Sequence, residues 1–139
     1  MTIINDTVRV DTRGNSDLID ITERLTMLLS RHKLRTGHML IFVVGSTAGL
    51  TTIEFEPGLK QDFAAMMERI GPRAAHYHHE ETWNDGNGHS HVRASLLGPS
   101  LTIPFGEGRL LLGTWQQVVL VDFDTRPRNR AIAVQLLGE

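Results

Sequence analysis

The sequence predicts one α+β domain covering residues 1–139, with two main helices against a mainly antiparallel sheet. Two stretches, residues 22–36 and 59–70, carry apolar residues at helical spacing. Seven other stretches alternate apolar and polar residues, or run apolar for a few positions, between Gly, Pro, Asn and Asp breaks. The length, 139 residues with 40% apolar and 22% charged, suits one core and leaves little room for a second.

Taken in order, Thr2 to Asp11 sets Ile4, Val8 and Val10 against Asn5, Arg9 and Asp11, the pattern of a half-buried strand. Arg13 to Ser16 is a turn. Thr22 is placed to cap a helix carrying Leu25, Leu28, Leu29 and His32, which Gly37 ends. His38 to Val44 is continuously apolar and suits a buried central strand. A tight turn, Gly45 to Gly49, leads to a strand from Leu50 to Phe55. After Pro57 and Gly58, a helix from about Leu59 to Ile70 presents Phe63, Met66, Met67 and Ile70 on one face. Gly71 and Pro72 stop it. His76 to His91 is polar and without periodicity. Strands follow at Leu101–Phe105, Leu110–Leu112, Gln117–Phe123 and Ala131–Leu137. Closely spaced strands leave edges to be covered, for which assembly into a dimer or trimer is one route.

Composition narrows the function classes. The net charge is −2 with no basic face, so nucleic acid is not an expected partner. Without cysteine, disulfides, thiolate metal sites and cysteine nucleophiles are excluded. The start MTIINDTVRV lacks a secretory pattern, and the longest apolar run, Met39 to Val44, is too short to span a bilayer. No membrane partner is expected, and the cytoplasm is the expected location.

Five of the seven histidines fall between residues 76 and 91: His76, His78, His79, His89 and His91. His76 and His78 are two apart, as are His89 and His91, and in a strand that spacing points both side chains one way. Either pair could then meet one divalent ion, with Glu80, Glu81 or Asp85 completing the set. A solvated polar loop is the plain alternative, and the local density favours a metal or acid–base site.

Other segments offer weaker signals. Ser46 and Thr47, in the turn after a buried strand, could present donors to an anion, although a hairpin turn explains them as well. Glu54 and Glu56 lie two apart on a predicted strand and could share a metal or a proton, or simply face solvent. Trp115 and Gln116 could wall and orient a ring-bearing ligand, or belong to the core or an interface. Arg126, Arg128 and Arg130 could bind phosphate, or pair with Asp122 and Asp124 in a surface network.

GSTAGLTTIEFEPGL (45–59), WNDGNGHSHVRASLLGPSLTIPF (83–105), LGTWQQVVLVDFDTRPRNR (112–130) and QLLGE (135–139) together resemble the YjbQ family over almost the whole chain. The resemblance implies an α+β sandwich that assembles as a homotrimer, with sites near subunit boundaries. It also implies a secondary thiamine-phosphate synthase activity, possible as a side reaction, joining a pyrimidine methyl diphosphate to a thiazole phosphate. The family's Tyr-x-His matches Tyr77 and His79, its later histidine His91, its Ser/Thr-Thr-Ala turn Ser46 to Ala48, and its following glutamate Glu54. Where many relatives have a histidine, this chain has Gly45, which removes one candidate ligand or base. The expected catalytic residues are therefore His79, His91 and Glu54, and the expected metal ligands are His79, His89 and His91. The expected substrate contacts are Ser46, Thr47, Asn87, Trp115, Gln116 and Arg130. A divalent ion such as zinc or magnesium is the expected cofactor, and a small molecule and further copies of the chain are the expected partners. A non-catalytic trimer that binds a metal or ligand is the alternative.

Overall fold

The computed structural model describes residues 1–139 and contains eight strands and four helices. The strands are β1 (Thr2–Thr12), β2 (Asp17–Asp20), β3 (Gly37–Val43), β4 (Ala48–Ile53), β5 (Ser100–Gly106), β6 (Arg109–Leu110), β7 (Gln117–Asp122) and β8 (Arg128–Gly138). The helices are α1 (Thr22–His32), α2 (Pro57–Ile70), α3 (His79–Trp83) and α4 (Gly88–Leu97). All neighbouring strands are antiparallel, in a five-stranded sheet ordered β1-β8-β3-β5-β6 and a three-stranded sheet ordered β2-β7-β4. The expected α+β architecture of antiparallel strands is therefore present.

The sheets face one another across the main core. Met39, Ile41, Val43, Ile103, Phe105, Ile132, Val134 and Leu136 from the larger sheet meet Leu50, Val118 and Leu120 from the smaller one. Leu25, Leu28 and Leu29 of α1 join that core. The opposite face of β7 packs Val119 and Val121 against Phe63 and Met67 of α2 and Ala94 of α4. β7 reads as a continuous apolar run because it is covered on both faces. Each fully buried side chain of this size contributes about 1.5–3 kcal/mol. Among the helices, none is long and apolar enough to cross a membrane.

Several expectations are corrected locally. β3 is central in its sheet, but only one face is covered: Met39, Ile41 and Val43 point inward, while Leu40 and Phe42 remain exposed. Residues 44–47 are not a hairpin turn. They carry the chain from one sheet to the other, because β3 pairs with β5 and β8 whereas β4 pairs with β7. Thr22 does not cap α1. Asp20 accepts its N–H at 2.9 Å, and the Thr22 hydroxyl instead accepts the Val118 N–H at 2.8 Å, tying the helix start to β7. α1 ends at Lys33, which adopts the left-handed conformation, before Gly37 is reached.

The largest difference lies between residues 79 and 97. The segment expected to be aperiodic folds into α3 and α4, which adds two short helices to the two main ones. The Glu80 carboxylate organises their junction by accepting the N–H groups of Gly86 at 2.7 Å and Gly88 at 2.8 Å. Gly88 is required there for space: a Cβ would fall 2.4 Å from that of Tyr77.

Candidate active site at the crossover between the sheets

α3 and α4 bring His79 and His91 into contact, with ring centroids 4.3 Å apart. The Nε2 atom of His79 is buried and makes no hydrogen bond. Its closest charged neighbour is Asp85 Oδ1 at 3.3 Å, a Coulombic approach without hydrogen-bond alignment. Burial raises the Asp85 pKa, but the Asn87 N–H and His79 outweigh it and hold the carboxyl below its ordinary value. For His91, burial is the main cause of a lowered pKa, followed by repulsion from His79, while Asp85, Asp124 and the Ser46 backbone oppose the shift. A neutral His91 at pH 7 is chemically suited to accept a proton or bind a metal.

His91 also lines a cavity of about 370 Å³ with Gly45, Ser46, Ala94, Ser95 and Pro99. The crossover at Gly45–Thr47 therefore forms one wall and α4 the other. The largest cavity, about 510 Å³, lies elsewhere beside Arg13, Asn15 and Lys60 and contains none of the clustered histidines.

Beneath the crossover is a buried polar network. Arg130 donates to Asp122 at 2.7 and 2.8 Å and to the Thr47 hydroxyl at 2.6 Å. Thr47 donates to Asp124 at 2.9 Å, and Asn87 donates to the other Asp124 oxygen at 3.3 Å. Arg128 also pairs with Asp124, at 3.0 Å. Burial opposes ionisation of Asp124, but the Thr47, Asn87, Arg126 and Arg128 donors hold its pKa below the ordinary value. The arginine–aspartate grouping seen in the sequence is thus largely internal for Arg130 and half-buried for Arg128. Nη1 of Arg130 lies 2.6 Å from the position a Cβ on Gly45 would take. The missing side chain leaves room for the guanidinium edge.

The remaining candidates separate. His89 and His91 are on a helix, so residues two apart diverge by about 200° around its axis and do not share a face. His89 is buried toward Arg93, Arg73, Glu68 and Glu80, and burial followed by the two arginines lowers its pKa. The expected His79–His89–His91 ligand set is not assembled. Ser46 and Thr47 reach the site, Thr47 as a buried bracket for Arg130, and Asn87 braces Asp124 from below. Glu54 follows the far end of β4, roughly 20 Å along the chain direction from Ser46. Trp115 and Gln116 share that far end, where Gln116 donates to Thr52 at 3.0 Å and Trp115 is exposed. Within one chain these three residues do not join the histidines. Glu56 is occupied as the cap of α2, accepting the N–H groups of Gly58 and Leu59, so no Glu54–Glu56 pair is available.

Sequence reasoning missed Ser95, one turn beyond His91 on α4, because the helix itself was not anticipated. It also gave no role to Arg93, which is buried and donates to the Gly71 carbonyl at 2.8 Å and to Glu68 at 2.6 Å. Its length and its position inside a polar stretch were the available signals.

A family model described as UPF0047 protein YjbQ-like matches residues 6–139. The chain belongs to the YjbQ family. A UPF0047 protein from Methanocaldococcus jannaschii is 33% identical over 132 residues, covering 94% of this chain and 92% of the relative. The YjbQ relative YugU from Bacillus subtilis is 31% identical over 95% of this chain and 98% of its own. A crystal structure of a YbjQ-like protein of unknown function from Sulfolobus solfataricus superimposes with a TM-score of 0.92 at 32% identity, covering 99% of both chains. The YjbQ fold is therefore shared across the full domain.

A divalent ion fits the crossover site in donor chemistry. His79 Nε2 is a buried donor atom without a partner, Asp85 is ionised beside it, and His91 is neutral nearby. His79, Glu80 and Asp85 offer ligand atoms within 4.8 Å of one another. Both Glu80 oxygens already hold the α3–α4 junction, which leaves His79 and Asp85 as the better ligands.

Proposed function

We propose that this protein is a small-molecule transferase of the secondary thiamine-phosphate synthase type, joining a pyrimidine methyl diphosphate to a thiazole phosphate. The observation that carries the reading is the His79–His91 contact, with an unpartnered buried nitrogen, beside a cavity walled by Ser46.

In this reaction the thiazole nitrogen forms a bond to the pyrimidine methylene carbon as the diphosphate leaves. The chain's task is to align the two and favour negative charge on the departing group. Ser46 would donate to a diphosphate oxygen from the cavity wall, and the Arg130 Nη1 edge beside Gly45 would add positive charge. Thr47, Asp122 and Asn87 keep that edge and the crossover in place. His79, Asp85 and His91 would hold a divalent ion such as zinc or magnesium, which neutralises phosphate charge when bound. The neutral His91 ring would otherwise offer its N–H to an oxygen of the departing diphosphate.

The same proposal includes a cytoplasmic homotrimer in which Glu54, Trp115 and Gln116 of a neighbouring copy complete the cavity. The exposed outer-sheet residues Ile3, Leu40 and Phe42, with the exposed Val44 of the crossover and the exposed Trp115, support assembly. Sedimentation should then give three times 15.5 kDa.

The test is product formation by untagged protein supplied with both substrates and Mg²⁺ or Zn²⁺. His79→Ala and His91→Ala should each reduce turnover by about 100-fold or more. Parental rates in both variants reject the site. Tight substrate binding without any product rejects the reaction and supports a non-catalytic binding trimer.

A further inference from the structure

We infer that His76, His78 and Glu81 form a second, solvent-facing site for a divalent transition-metal ion such as Zn²⁺ or Ni²⁺, separate from the cavity. The three side chains offer donor atoms that all lie within 4.8 Å of one another. Glu81 Oε1 is 3.5 Å from His76 Nε2 and 3.1 Å from His78 Nδ1. Two ligands on a tetrahedral zinc ion, each bound at about 2.0–2.1 Å, are separated by about 3.3 Å, and the two observed edges bracket that spacing. The imidazole rings are 5.4 Å apart and nearly perpendicular, so both nitrogens can face the carboxylate without ring overlap.

The donor set selects the ion. Two imidazoles and one carboxylate suit zinc, nickel or copper over magnesium or calcium, which prefer all-oxygen shells. All three side chains are exposed, at 68%, 88% and 62%, so water can fill the remaining coordination positions. Backbone placement makes the grouping possible: His76 and His78 precede α3, and Glu81 lies in it, three residues beyond His78. An ion there would staple the incoming chain to a helix of only five residues, the helix that begins with His79.

Zn²⁺ titration of untagged protein by calorimetry tests the site. The His79→Ala/His91→Ala background removes cavity ligands while retaining His76, His78 and Glu81. Parent and background should both bind an ion at the surface site, and adding His76→Gln and His78→Gln to the background should weaken binding at least about tenfold. Zinc should also slow amide exchange across residues 79–84 in the background but not in the four-site variant. Because His76 and His78 are exposed, circular dichroism should show the same fold in the background and in the four-site variant. Equal zinc affinity with and without His76 and His78, or no binding in the background, overturns the site. Binding without slower exchange overturns the staple.

Discussion

Asp122 on β7 and Arg130 on β8 join the two sheets through a buried two-point ion pair, Nε to Oδ2 at 2.7 Å and Nη2 to Oδ1 at 2.8 Å. Their side chains are 0% and 8% exposed, so neither charge has water as an alternative partner. Thr12 adds a third sheet contact by donating to Asp122 at 2.6 Å.

Asp122→Ala should therefore destabilise the protein by about 3–5 kcal/mol, because it leaves the guanidinium buried without its main counter-charge. Urea unfolding followed by circular dichroism measures this. A loss below about 1 kcal/mol would show that Arg130 finds water or another carboxylate once its partner is gone.

His91 should titrate below 6.5, so its imidazole is neutral at pH 7 and gains a proton only as the solution becomes more acidic. Burial is the principal cause and His79 the next, so His79→Ala should move the midpoint upward by opening the site and removing a like charge. NMR titration of the His91 ring protons reads both values. A parent midpoint at or above 6.5, or no upward movement in the variant, contradicts this account.

Asp6 gives a pH dependence of opposite character. His32 at 2.7 Å is the main cause that lowers its pKa to about 2, helped by the Thr7 N–H and Arg31. The folded value lies below the unfolded one, so its contribution is present above about pH 4 and lost as pH falls toward 2. Solvent around Arg31 and partial exposure of Asp6 reduce the effect to about 1 kcal/mol. Stability curves for parent and Asp6→Asn should differ above pH 4 and converge below it. A constant gap across that range would assign the loss to packing instead.

Seven of the eight strands were legible from their apolar patterns, whereas β2, four residues long with Leu18 and Ile19 only partly buried, was not. β1 alternates as it does because Val8 and Val10 face the core while Arg9 and Asp11 face out. The long helix α2 was legible from Phe63 and Met67, although Pro57 and Gly58, read as breaks ahead of it, form its first turn. α4 was not, because its buried positions are Gly88, His89, Ser90, Arg93 and Ala94, a mixture without an apolar stripe. That omission changed the site: strand spacing paired His89 with His91, whereas helical geometry sends them apart and pairs His91 with His79 across two helices. The contact between His79 and His91 depends on Glu80 folding the intervening loop, a through-space effect that no local pattern encodes.

Gly45 and Arg130 contest a single volume, since the guanidinium already fills the place a side chain at 45 would need. Their substitutions are therefore epistatic. Installing a side chain there requires rerouting the arginine, and the arginine cannot leave without stripping the buried Asp122 of its partner, so neither exchange is independent of the other.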